Sequence, residues 1–284
     1  LHSLKKRILI FSLMSFSLAI FFFSQNLPFI KLFAIDYSGY SRVLIESSFP
    51  LQSSVEKKGI KTIVIDPGHG GLETGAKGKF GSLEKNITLA VSLKLKAIVE
   101  RMGYRVVLTR DKDIDVSLEN RSAIANNNRA SLFISIHANS SPRKKALGSE
   151  TYFLSLNATD EEARRLAYME NNSATIEEKI QSEDEDNIMM ILWDMAQTAY
   201  LQHSSQLAES IQIELNSLLG TINRGIKQAP FKVLTGVACP AVLVEVAFIS
   251  NPEEERKLLN EEFQTKVAMA IYRGLTDFLR KYSQ

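Results

Sequence analysis

The sequence predicts a single three-layer α/β domain, with a largely parallel sheet and helices on both faces. Three observations carry that expectation. Short, nearly unbroken apolar runs such as Thr62-Ile63-Val64-Ile65 and Ala241-Val242-Leu243-Val244 read as buried strands. Other segments repeat apolar residues at helical spacing. The two kinds alternate at short intervals, the order that a parallel sheet with helical crossovers requires.

Taken in order, the chain opens with basic residues, Lys5-Lys6-Arg7, followed by an apolar run from Ile8 to Phe23 broken only by serines. Charge followed by an apolar stretch is the pattern of a secretory signal or an N-terminal membrane anchor, assigned here to residues 1–34. Residues 35–60 read as a tether, with Arg42-Val43-Leu44-Ile45 as one candidate strand. The main domain is assigned to 61–284 and is large enough for one core. It begins with the strand at Thr62–Ile65, which ends in the turn signal Asp66-Pro67-Gly68. Ile87, Val91, Leu95, Ile98 and Met102 mark a helix that Gly103 stops. Arg105–Thr109 reads as a strand, Leu118–Asn127 as a helix, Ser131–Ile136 as a strand running into His137, and Thr151–Leu154 as a further strand. Residues 157–200 form a helix-prone, acidic insertion containing Glu183-Asp184-Glu185-Asp186. A helix is expected from about Met189 to Leu219, strands at Phe231–Leu234 and Ala241–Val246, and a closing amphipathic helix through Phe263, Val267, Ile271, Leu275 and Phe278.

Composition narrows the chemistry. The chain has 284 residues, 45% hydrophobic and 23% charged, an ordinary globular balance. Its formal net charge is +2, so no basic surplus points to nucleic acid. Cys239 is the only cysteine, which excludes an intramolecular disulfide and a cysteine-rich metal cluster. Beside a buried strand it reads as a small core residue. A metal would therefore rest on His, Asp or Glu, and the histidines are His2, His69, His137 and His203. His203, in a predicted helix, reads as structural or surface.

His69 follows the first strand in a glycine loop, Asp66-Pro67-Gly68-His69-Gly70-Gly71, where a ligand can approach the backbone closely. His137 ends the third. Sites in open parallel sheets form beyond the carboxyl ends of strands, so both histidines are expected on one rim. Either alone reads as a hydrogen-bonded structural histidine; two at equivalent strand ends point to a metal. Catalytic zinc takes three protein ligands, commonly two histidines and a carboxylate, and leaves a position open. Glu84, at the start of the helix after the glycine loop, is the first candidate carboxylate. It also suits a helix N-terminus for electrostatic reasons alone. Glu73 and Asp66 compete with it, although Asp66 suits a turn cap or an orienting role. Glu245 lies inside an apolar strand, where an unpaired carboxylate costs several kcal/mol. It reads as a buried ion pair, as an edge position of the sheet, or as a general base beside metal-bound water.

These motifs, taken together, resemble the zinc-dependent N-acetylmuramoyl-L-alanine amidases, the cell-wall amidases with the D-P-G-H-G-G signature. The resemblance runs from Lys61 to Phe278. It rests on Ile65–Gly71, Glu84-Lys85-Asn86, Leu108-Thr109-Arg110, Ser135–Asn139, Gly148–Phe153, Asn223-Arg224-Gly225-Ile226-Lys227 and Val244–Asn251. It implies an α/β fold of about six strands, one zinc ion on His69, Glu84 and His137, and Glu245 as the catalytic residue. It implies peptidoglycan as substrate, cut at the amide between N-acetylmuramic acid and L-alanine in wall remodelling or daughter-cell separation. It therefore also implies a place outside the cytoplasm, in the periplasm or cell envelope. The chain departs from the family at Glu73 and Asn86, where aspartate is common, and neither position is a proposed ligand.

Some relatives carry an inserted helix that plugs the zinc site until an activator protein removes it. A plug glutamate in this chain is sought among Glu177, Glu178, Glu183 and Glu185. Because the segment is short, an exposed acidic loop is the preferred reading. The competing functions are another exported zinc amidohydrolase, such as a peptidase or deacetylase, and a non-catalytic wall-binding protein. The latter would be expected to lack a ligand, and none is missing. Membrane contact is expected only if the N-terminal segment is uncleaved.

Overall fold

The computed structural model describes residues 30–37, 40–47, 62–143, 145–172, 183–220 and 222–282, with side chains of 30–47 and 183–199 left aside. The chain divides into two units, residues 1–57 and 58–284. In the first, β1 (Ile30–Tyr37) pairs antiparallel with β2 (Tyr40–Ser47). The strand expected at Arg42–Ile45 lies within β2. Its partner β1 was not anticipated, because its apolar residues adjoin the N-terminal apolar run and were read as part of it. The signal or anchor pattern at Ile8–Phe23 lies outside the described residues.

The second unit is a six-stranded sheet in the order β4-β3-β5-β8-β6-β7. Its strands are β3 (Thr62–Pro67), β4 (Arg105–Leu108), β5 (Leu132–Asn139), β6 (Ser149–Leu154), β7 (Asn223–Ala229) and β8 (Ala241–Phe248). All neighbours are parallel except β6 and β8, so β6 and β7 run opposite to the other four. The expected single α/β domain with a largely parallel sheet is what forms. β5 and β8 are buried at every residue, which is why both read as unbroken apolar runs.

The helices are α1 (Glu84–Arg101), α2 (Leu118–Asn127), α3 (Glu161–Asn171), α4 (Glu183–Leu219), the short α5 (Lys232–Thr235), α6 (Pro252–Leu258) and α7 (Glu261–Tyr282). Alternation along each strand sends successive side chains to opposite faces. Ile63, Ile65, Ile134, Ile136, Val242 and Val244 enter one core with α1, α4 and α7. Val64, Phe133, Leu243 and Tyr152 enter the other with Ala125 of α2, Ala163, Leu166 and Ala167 of α3, and α5. Full burial of each such aliphatic side chain contributes about 1.5–3 kcal/mol.

One expected strand is corrected. Phe231–Leu234 does not extend the sheet: Lys232–Thr235 is a helical turn, and the strand is Asn223–Ala229 just before it. The polar segment NRGIKQA gives a weak strand signal because β7 is an edge strand with polar residues on its open side. The apolar Phe231, Val233 and Leu234 fill the second core from a turn instead. Among the described residues no helix is long and apolar enough to cross a membrane.

Candidate metal centre and active site

β3 delivers a loop of unusual backbone shape. His69 has φ 60°, a left-handed conformation that is uncommon for a residue with a side chain. Two buried arginines hold it there. Arg121 donates to the carbonyls of Pro67 and His69, at 2.8 and 2.9 Å, and Arg110 to those of Pro67 and Gly68, at 3.0 and 2.8 Å. Arg121 is itself fixed by Asp66 at 2.7 Å. Asp66 thus serves the loop through Arg121 and does not touch the His69 ring. Burial pushes the Asp66 carboxyl up, but Arg121 and the hydroxyls of Thr109 and Ser135 outweigh it and leave it below the ordinary value.

Glycine is required where imidazoles and backbone meet. A Cβ on Gly68 would collide with the His137 ring, and one on Gly75 would meet His69 Cδ2 at 2.5 Å and Glu84 Oε2 at 2.6 Å.

Glu84 begins α1 and turns back toward the loop. Its Oε2 accepts from the Ala76 N–H at 2.8 Å and its Oε1 from the Ala138 N–H at 2.9 Å. It both complements the helix N-terminus and joins the cluster. His69 Nε2 lies 3.2 Å from Glu84 Oε2, and His137 Nδ1 lies 3.2 Å from Glu84 Oε1. The three residues named from sequence therefore converge, as their positions at strand and helix ends suggested.

A fourth residue joins them. Glu170 Oε2 is 3.3 Å from His69 Nε2 and 3.2 Å from His137 Nδ1. One atom from each of His69, Glu84, His137 and Glu170 lies within 4.8 Å of all the others. Glu170 comes from α3, inside the acidic insertion, but is not among the four glutamates sought there. Glu177 and Glu178 lie outside the described residues, and the side chains of Glu183 and Glu185 are likewise not described. The missed signal is periodic: Ala163, Leu166, Ala167 and Glu170 stand at i, i+3, i+4 and i+7, so Glu170 occupies the face that α3 turns to the core.

The donor set fits a metal ion. Among the described residues, neither ring nitrogen of His69 nor Nδ1 of His137 has a hydrogen-bond partner, although all are buried. The approaches of about 3.2 Å are thus not made along N–H directions. Tetrahedral zinc with bonds near 2.0–2.1 Å sets its ligand atoms about 3.3 Å apart. Burial lowers the affinity of His69 for a proton, yet Glu84 and Glu170 more than offset this and push its pKa up to about 10. The pocket favours a cation. Glu73, the competing carboxylate, is bridged to Gly70 in the loop and lines a small cavity together with His69, His137 and Glu170, but is outside the four-residue cluster.

Glu245 stands beside the cluster. It pairs in register with His137 on β5 and with Glu150 on β6, so the three side chains form one row on the same sheet face. It is buried, and neither of its oxygens has a hydrogen-bond partner among the described residues. Burial raises its pKa; His137 opposes this, while Glu84, Glu170 and Glu150 add to it, leaving it well above the ordinary carboxylate value. β8 lies between β5 and β6, so Glu245 is not at a sheet edge, and among the described residues it forms no ion pair. Glu150 was not singled out as a functional residue from the sequence. It accepts from Asn139 Nδ2 at 2.7 Å and lies 2.9 Å from Lys227 Nζ. His203 stacks edge-on against Tyr282, and Cys239 is buried.

Fold and site together define an α/β enzyme with a candidate metal centre at the carboxyl ends of its parallel strands. The family model for N-acetylmuramoyl-L-alanine amidases matches residues 63–277, and the chain belongs to that family. It is 34% identical over 253 residues to the N-acetylmuramoyl-L-alanine amidase AmiA of Escherichia coli K12, covering 86% of this chain and 88% of that protein. AmiC of Escherichia coli O6:H1 is 37% identical over 215 residues, covering 75% of this chain and 51% of AmiC. Among solved structures, an N-acetylmuramoyl-L-alanine amidase from Clostridium difficile 630 aligns with a TM-score of 0.59 at 29% identity, covering 78% of this chain and 98% of that one. The CwlD amidase of Clostridioides difficile, solved in complex with the GerS lipoprotein, gives the same TM-score and identity over 78% of this chain and 99% of CwlD. The chain is thus an N-acetylmuramoyl-L-alanine amidase by family.

Proposed function

We propose that this chain is a zinc-dependent, exported amidase that hydrolyses the bond between N-acetylmuramic acid and L-alanine in peptidoglycan, and that α3 holds it in a blocked state. The observation that supports this most is the convergence of His69, Glu84 and His137 on one point beside an unpaired, buried Glu245. His69, Glu84 and His137 would hold the ion. Zinc in such a site supplies Lewis acidity, polarising the scissile carbonyl and making water a nucleophile near neutral pH.

The chain's own groups do the rest. The backbone N–H groups of Ala76 and Ala138 orient Glu84, and the arginine-clamped loop orients His69. Glu245 takes the proton of the attacking water and passes it to the nitrogen of the departing L-alanine. Burial raises its proton affinity, and a cation held beside it would favour the charged form that accepts the proton.

Glu170 explains the block. Catalytic zinc sites keep one position open, whereas four protein donors make a closed, structural shell. With Glu170 beside both histidines the open position is filled. A partner protein that draws α3 away would open it; the solved complex of CwlD with a lipoprotein is one instance of a relative bound to a partner. The apolar segment after Lys5-Lys6-Arg7 supports export to the periplasm or cell envelope, where the substrate lies. The test is digestion of purified peptidoglycan with and without chelator. Free muramic acid residues and intact stem peptides are expected only without chelator; cleavage inside the peptide, or deacetylation, would point to the other amidohydrolases instead.

A further inference from the structure

The segment Asn223-Arg224-Gly225-Ile226-Lys227 takes no part in the chemistry just described. Its two cations nevertheless reach the site. Lys227 Nζ lies 2.9 Å from Glu150 Oε2 and 3.1 Å from Asp160 Oδ2. Arg224 Nε lies 3.3 Å from Glu150 Oε2, and its Nη2 donates to Glu162 Oε2 at 2.7 Å. The other oxygen of Glu162 lies 2.6 Å from Arg143 Nη1. Asp160 is the N-cap of α3 and Glu162 lies in its first turn, so three cations grip the start of the helix whose far end carries Glu170.

Two of these partners leave with α3 and one stays. Glu150 belongs to β6 and is tied to Asn139. With α3 seated, Arg143, Arg224 and Lys227 face Glu150, Asp160 and Glu162, and charge balances. With α3 gone they face Glu150 alone. Two positive charges are then uncompensated beside Glu150, the register partner of Glu245. Arg224 is not a loose surface side chain: its guanidinium packs over the Phe248 ring at 5.1 Å from the centroid, a contact that leaves its donors free. The way Glu162 is held, one oxygen to each arginine, shows that the space accepts a carboxylate.

We propose that Arg143, Arg224 and Lys227 form an anion subsite for a free carboxylate of the stem peptide, and that Asp160 and Glu162 occupy it in place of substrate while α3 is seated. The subsite fixes the peptide side of the scissile amide; it holds substrate and takes no part in proton transfer. This rests on the reading of α3 as a removable block.

The test uses the full chain loaded with zinc and two soluble muramyl peptides, one with free carboxylates and one with those carboxylates amidated. In a Glu170→Ala background, Arg224→Gln is expected to raise KM for the free-acid peptide about tenfold or more, the loss of one charge-assisted pair, and to leave the amidated peptide within about twofold. Arg143→Gln, at a side chain 77% exposed and so no threat to folding, is expected to shift KM the same way. Glu162→Gln alone, which loosens the helix, is expected to raise hydrolysis without a partner. Equal losses on both peptides, or no KM change in either arginine variant, overturn the subsite while leaving the amidase reading intact. Unchanged hydrolysis by Glu162→Gln overturns the claim that α3 occupies it. A Glu170→Ala protein that binds zinc but cleaves neither peptide overturns the amidase reading, and the subsite with it.

Discussion

Glu245 and His137 are register partners on the central parallel strands β8 and β5, so a carboxylate with no hydrogen-bond partner among the described residues stands directly beside a member of the candidate metal cluster. Burying such a group unpaired costs on the order of several kcal/mol, which packing alone does not return. Glu245→Gln keeps shape and removes the proton acceptor. The variant is expected to bind zinc as the wild type does and to lose about 10²–10⁴-fold in kcat. Normal turnover with normal zinc content would falsify the role given to Glu245.

His69 and His137 reach the cluster from two different strands, so neither can replace the other. His69→Ala or His137→Ala is expected to lower bound zinc from about one per chain toward zero at micromolar metal, and activity with it. Elemental analysis after gel filtration reads the first and peptidoglycan digestion the second. Zinc retained at full occupancy in both variants would place the metal elsewhere.

How much of this was legible in the sequence follows from what each residue does. β3, β5 and β8 lie inside the sheet, buried at every residue and largely apolar, so they are plain in the sequence, and with them the strand ends that carry His69 and His137. Glu245 was plain for the same reason, as a charge inside an apolar strand. β7 was not, because an edge strand needs no apolar pattern and the nearby apolar residues belong to a turn. Glu170 is hard to read because its segment is charged overall and the acidic run at Glu183–Asp186 is the stronger local signal. Its own context, three small or apolar residues at helical spacing before it, is the informative one. Arg121 and Glu150 were missed because a buried ion pair depends on partners tens of residues away.

If Glu170 occupies the position that a substrate carbonyl and water need, as proposed, removing its carboxylate should release activity. Glu170→Ala is expected to raise partner-free hydrolysis about tenfold or more, since apparent activity scales with the fraction of molecules in the open state. Zinc should dissociate faster, having lost a fourth donor. The opposite outcome, loss of hydrolysis with zinc bound, would make Glu170 part of the working site and end its reading as a block.

The Asp66–Arg121 pair makes stability depend on acid. Asp66 has a folded-state pKa below its unfolded value, despite burial, because Arg121, Thr109 and Ser135 hold the charged form. A depressed carboxylate contributes stability that is complete above its unfolded pKa, near 4, and is lost as pH falls through the folded value. Asp66→Asn removes that dependence but leaves the Arg121 guanidinium buried without its counter-charge, which costs about 3–5 kcal/mol at neutral pH. The variant should therefore melt well below the wild type at pH 7, and the gap should narrow on going from pH 5 to pH 2 as Asp66 itself becomes protonated. Thermal melts of the two proteins across that range decide the matter. A gap that stays constant with pH would mean that Asp66 binds its proton equally well in the folded and unfolded chain, and that Arg121 gives its charged form no net support.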